Sequence, residues 1–140
     1  MIKRNPELPL SYDRRFQVWL YSPSMSRLAL RSFPDSTRDE LGSIEVMFQG
    51  VEAMQLRTVR DGLVLRDATD AEAEAIGESV GGRPLSAKRR FVVLGERLRD
   101  GWVVCAWLAV AENDLDYSYM PELVAEIGLG VIGSTKKKGD

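Results

Sequence analysis

The sequence predicts an α+β domain, mainly antiparallel β, with about seven strands in a strongly bent sheet or two-layer sandwich. Three observations carry that expectation. Short apolar segments of strand character fill most of the chain. Two Asp-Gly pairs, Asp61-Gly62 and Asp100-Gly101, have the chemistry of two-residue hairpin turns. Only one long segment, residues 70–80, has both helix start and helix stop signals. The expected order is five strands, one helix between strands five and six, two strands, and a short C-terminal helix.

Residues 1–13 read as an extended N-terminal lead-in, because Pro6 and Pro9 oppose a helix. Strands at about 14–21 and 27–33 follow, joined by SPSMS. Strict alternation would place Phe16, Val18 and Leu20 on one face and Trp19, Tyr21 and Phe33 on the other. The segment FPDSTRDELG reads as a loop. In the third strand, about 43–49, Ile44, Val46 and Phe48 alternate with Ser43, Glu45 and Gln49, which predicts one buried and one wet face. Gly50 breaks the phase.

Asp61-Gly62 is expected to join strands at 52–60 and 63–67, with Leu56, Thr58, Leu63 and Leu65 on the core face and Arg57 opposite Arg66. The helix over 70–80 has Thr69 and Glu72 at capping-box spacing, an Ala73, Ile76 and Val80 stripe, and Gly81-Gly82 beyond its end. Asp100-Gly101 is expected to join strands at 90–99 and 102–111, with Leu94 facing Trp107 and Gly95 facing Ala106. Pro121 opens the short helix to about Ile127. The domain is expected to span 14–133, with 134–140, STKKKGD, as a solvated tail.

Composition narrows the chemistry. The chain has 140 residues, 44% hydrophobic and 29% charged, enough for one domain with a core. Its net charge of −2 does not favour nucleic-acid binding. A single cysteine, Cys105, fits a reducing, cytoplasmic compartment. No apolar run reaches membrane-spanning length, so no membrane partner is expected.

The chain has no histidine. That removes the Ser-His-Asp triad, the Cys-His pair and zinc sites built on imidazole. No catalytic residue, metal or cofactor is expected, and the chain reads as a non-enzyme. GLGVIG at 128–133 matches a dinucleotide fingerprint in letters but follows no strand and opens no helix. Asp114-x-Asp116-x-Ser118 begins like a calcium loop but has Tyr119 and Ala125 where Gly and Glu belong. The run Arg83, Lys88, Arg89, Arg90 reads as a charged loop entering a strand.

Two surfaces are candidates. In ENDLDYSYMPE, residues 112–122, Glu112, Asp114, Asp116 and Glu122 interleave with Tyr117 and Tyr119. Carboxylates steer a basic protein, and tyrosines give rigid contact area, so this loop suits partner binding. The second candidate is a small-molecule or anion pocket between sheet and helix. Trp19, Tyr21 and Trp102 would line it, with Arg31 or the Arg57/Arg66 pair holding a negative group. A structural homo-oligomer, burying the aromatic face of the first hairpin, is a third reading.

The pattern Phe16-x-Val18-Trp19-x-Tyr21, Leu28-x-Leu30-Arg31-Ser32 and Phe48-x-Gly50-Val51 resembles a group of short uncharacterised bacterial proteins. Arg31 and Ser32 are its members outside core-type positions, and they are where that resemblance implies a site. In general profile (small, mildly acidic, single-domain, without a catalytic set) the chain is similar to toxin-immunity proteins. That profile implies an inhibitor of a basic toxin.

Overall fold

The computed structural model describes residues 2–33, 42–81 and 88–113. In chain order the elements are β1 (Ile2–Arg4), β2 (Leu10–Ser22), β3 (Arg27–Ser32), β4 (Ser43–Gln49), β5 (Ala53–Gln55) and β6 (Val59–Asp67). Then come α1 (Asp70–Ser79), β7 (Arg90–Val93), a 3-10 turn at Leu98–Asp100, β8 (Trp102–Cys105) and β9 (Trp107–Asn113). The mainly antiparallel α+β character is as expected, with one α-helix among the described residues. The strand count is not: among the described residues nine strands form one sheet, in the order β1-β9-β4-β3-β2-β6-β7-β8-β5, rather than about seven in a strongly bent sheet or two-layer sandwich.

The two additional strands are β1, from the expected lead-in, and the division of the expected 102–111 strand into β8 and β9 by a kink. β4 and β5 are separated by residues 50–52, and β8 and β9 by Ala106 alone. Hydrogen bonds from Ala106 N to Gln49 O and from Glu52 N to Val104 O, both 2.9 Å, carry the β4–β9 ladder across the kinks into the β5–β8 ladder. Gly50 has φ +71°, and a Cβ there would stand 2.8 Å from the Ala106 Cβ, so the kinks touch. The two halves of the sheet are thereby joined at a second seam. They enclose one core of Phe16, Leu28, Leu30, Val46, Phe48, Leu63, Leu65, Val92, Val103 and Leu108, among others.

Both expected Asp-Gly hairpins are overturned. The chain runs extended through Asp61-Gly62 inside β6, and Leu63 and Leu65 still reach the core. Gly62, at φ +84°, lies where Asp13 and Arg14 oppose one residue, a bulge in the β2–β6 ladder. β2 is long enough to pair along most of β6, and that ladder outweighs the local turn preference. Thr58 is exposed, and its carbonyl accepts from Val18 N at 2.8 Å. Arg57 and Arg66 do not meet, because Arg66 lies across from Val93.

The second pair sits at the end of an eight-residue connection, 94–101; Val93 pairs with Trp102, and Trp107, expected opposite Leu94, pairs with Gln49. Asp100 does not sit in a tight turn. Its carboxylate accepts from Arg97 N at 2.9 Å and closes the 3-10 turn, while Gly95 lies against the Asp100 side chain.

Two arginines bind this connection to β6. Arg60 donates to Leu94 O at 2.6 Å and Asp100 O at 3.0 Å. Arg66 donates to Gly95 O at 2.9 Å and Glu96 O at 3.0 Å. They satisfy carbonyls that a longer β6–β7 ladder would otherwise occupy.

The helix forms where expected. Thr69 Oγ1 accepts from Glu72 N at 3.1 Å, the Glu72 carboxylate accepts from Thr69 N at 2.9 Å, and Gly81 follows at φ +83°. Ile76 is buried against Trp102 and Val104, with Val80 and Phe91 beside it. The wet face expected on β4 is absent, since Ser43 and Glu45 are as buried as Val46. The described part of the lead-in, 2–13, contributes β1, paired with β9, and the first residue pairs of the β2 ladder with β6. The helix expected from Pro121, the GLGVIG run and the tail lie outside the described residues. No described helix is long and apolar enough to cross a membrane.

Candidate functional site

A bulge creates the most distinctive surface. Val18 pairs with Leu30 and Leu20 with Ala29, so Trp19 is the extra residue of β2. The bulge resets the alternation. Leu20, expected with Phe16 and Val18, instead packs with Met47, Ala109 and Ala111 in a separate cluster. Trp19 is left 40% exposed, and Tyr21 and Met25 on the same hairpin are 43% and 37% exposed. Ile2 and Val59 are the other exposed large apolar side chains among the described residues.

Trp19 is nevertheless held. The Phe33 ring meets it edge-on with centroids 5.2 Å apart, and the Arg31 guanidinium lies 4.5 Å from its ring centre. Arg31 is itself fixed from below. It is 3% exposed and donates to Glu45 Oε1 at 3.1 Å, and Glu45 is wholly buried. Arg14 donates to Phe33 O and Gly42 O at 3.0 and 2.8 Å, anchoring the chain that carries Phe33. The result is an exposed indole on a rigid, charge-bearing support.

The acidic segment departs nearby in the sheet. Glu112 pairs with Ile44, and Ile44 with Ser32, the residue before Phe33. Glu112 is exposed and accepts from the Tyr12 hydroxyl at 3.3 Å. Burial, with the Glu112 charge second, pushes the Tyr12 phenol up to about 12. Asp114, Asp116, Tyr117, Tyr119 and Glu122 lie outside the described residues.

The six residues of the expected pocket are dispersed. Trp19 and Arg31 meet, but Arg31 is too buried and too committed to Glu45 to receive a ligand's negative group. Arg66 is held by both Glu72 carboxylate oxygens at 2.8 Å, on the side of α1. Trp102 is buried in the cluster with Ile76, its indole N–H donating to Gln55 Oε1 at 3.0 Å. Tyr21 stays on the hairpin, and Arg57 lines a cleft with Arg60 and Arg99.

The basic run is partly neutralised. Arg89 meets Glu52 at 2.6 Å and Arg90 meets Asp67 at 2.9 Å. Cys105 is buried, and burial pushes its thiol up to about 12, which leaves it inert as a nucleophile. Among the described residues no group of His, Cys, Asp and Glu could hold a metal ion.

Sequence reasoning saw Trp19 and Phe33 on one side but missed what supports them. Glu45 read as a wet position because only its own strand's alternation was visible. Its partner Arg31 lies on β3, and only the register Arg31↔Glu45 brings the two together. Compared with protein-family models, curated proteins and solved structures, the chain matches none.

Proposed function

We propose that this chain is a non-enzymatic protein-binding domain whose anchor is Trp19 and whose partner is a basic protein. The observation that carries the reading is the exposed indole held between Phe33 and Arg31. A large aromatic side chain that is already ordered loses little entropy on binding, and tryptophan and arginine dominate interface energetics. The acidic segment beginning at Glu112 supports a basic partner, because complementary charge speeds encounter and fixes orientation. An immunity-type inhibitor of a nucleic-acid-directed toxin is one protein of this kind. Such a toxin has a basic substrate site, and an acidic, aromatic surface would cover it.

The test uses the full chain as bait in native cytosol at low and high salt. Wild type is expected to retain one basic protein that salt releases. Trp19→Ala should weaken retention by about tenfold or more, the size of a hot-spot loss. Asp114→Ala with Asp116→Ala should reduce the salt dependence. Equal retention by wild type and Trp19→Ala would remove Trp19 as the anchor. A dimer in sedimentation that Trp19→Ala dissociates would assign the hairpin to self-association instead.

A further inference from the structure

The cleft beside the 94–101 connection lies apart from the Trp19 surface. It has a volume of about 540 Å³ and is lined by Arg57, Val59, Arg60, Asp61, Arg99 and Asp100. That is within the roughly 300–1,000 Å³ of small-molecule sites. Three guanidinium groups face two carboxylates there, and both carboxylates are engaged. Asp61 pairs with Arg15 at 3.2 Å. Asp100 accepts from Arg97 N at 2.9 Å, a bond that holds its carboxyl below the usual range.

The arginines are less satisfied. Arg60 donates to the carbonyls of Gly62, Leu94 and Asp100, at 3.3, 2.6 and 3.0 Å. These neutral acceptors orient its fork, and the nearby Asp100 carboxylate offsets part of its charge. Arg60 is half-buried, and burial lowers its pKa, while the Asp100 charge raises it and Arg57 lowers it again. Among the described residues, neither Arg57 nor Arg99 donates to a carboxylate. Val59, 48% exposed, gives the cleft one apolar wall.

We propose that this cleft binds a small phosphate monoester, with Arg57 and Arg99 closing on the phosphate over a fixed Arg60 and Val59 meeting the esterified group. Guanidinium forks match phosphate oxygens in pairs, and a dianion suits two unspent cations. The volume exceeds what a bare phosphate fills, which leaves room for an organic substituent. Among the described residues no aromatic ring lines the cleft, so they supply no stacking platform of the kind a single-stranded nucleic-acid groove uses. The site shares no residue with the Trp19 surface and stands whether or not that surface binds protein.

Isothermal titration of the full chain with inorganic phosphate and with phenyl phosphate, in chloride buffer at constant ionic strength, tests this. Both are expected to bind saturably at one site, with phenyl phosphate about fivefold tighter through its apolar ring. Arg57→Gln with Arg99→Gln should weaken both by about tenfold or more. These side chains are exposed and unpaired with carboxylates, so the thermal midpoint should hold, which separates lost binding from lost folding. Val59→Ser should abolish the advantage of phenyl phosphate while leaving phosphate binding in place. Absent saturation with wild type, undiminished binding by the double arginine variant, or a phenyl advantage that survives Val59→Ser would each overturn the assignment.

Discussion

Arg31 and Glu45 show how a charged pair becomes a support for a surface ring. Each stands directly across from the other on adjacent strands, and both are almost wholly inaccessible to water. Such a pair brings little net stability, but removing one partner is costly because a charge remains buried. Arg31→Met is expected to destabilise the fold by about 3–5 kcal/mol in urea unfolding. Arg31→Met combined with Glu45→Met should recover most of that loss, since two apolar side chains replace two ions. An unchanged midpoint in the single variant would show that Glu45 is not held as a carboxylate by Arg31. The recovered double variant should still leave Trp19 without its cation, visible as a change in indole emission.

At the scale of elements, Arg66 and Glu72 couple β6, α1 and the 94–101 connection. The Glu72 carboxylate caps α1 through Thr69 N and receives Arg66 through both oxygens. The Arg66 hydrogen bond, then the Thr69 backbone bond, lowers its pKa from 4.5 to about 2. A folded pKa below the unfolded one stabilises the fold above the unfolded value and loses that contribution as pH falls through the folded one. Glu72→Gln should therefore cost about 1–2 kcal/mol at neutral pH, a cap plus a charge-assisted contact. The gap between wild type and variant should narrow between pH 4.5 and 2, where the wild-type carboxyl takes up its proton. A gap independent of pH would mean that the ion pair adds nothing beyond what the neutral amide supplies. The interaction was legible only by halves. Thr69-x-x-Glu72 announced the cap, but nothing in the spacing of Arg66 marked it as the staple.

Across the whole molecule, the second seam makes the sheet one cooperative body. Ala106 N and Glu52 N bridge strands on either side of the kinks, so neither half can open without breaking them. Their amides should exchange with solvent only through global unfolding, at the same free energy as the Val46 amide. Gly50→Ala should lower that free energy by about 1–3 kcal/mol, because the new methyl meets Ala106 and the backbone holds positive φ. Earlier exchange at Ala106 than at Val46 in wild type would show that the halves separate independently.

What the sequence determined by itself was local. Strand-like segments around SPSMS marked β2 and β3, period-two patterning marked β4, and the capping box with its terminal glycine marked α1 almost to the residue. The absence of histidine rules out triads and zinc sites that depend on imidazole. The tertiary structure decided what long-range pairing decides. Asp-Gly chemistry favours a hairpin in isolation, yet a long ladder with β2 keeps β6 extended through Asp61-Gly62, and Asp100 closes a 3-10 turn instead. One bulge at Trp19 shifts Leu20 out of the main core, and a shift of one residue reverses which side chains face inward. Arg57, Arg60 and Arg99 come together because the 94–101 connection folds back on β6. Residues some forty positions apart become neighbours through hydrogen bonds between arginine side chains and carbonyls, which leave no periodic trace in a sequence.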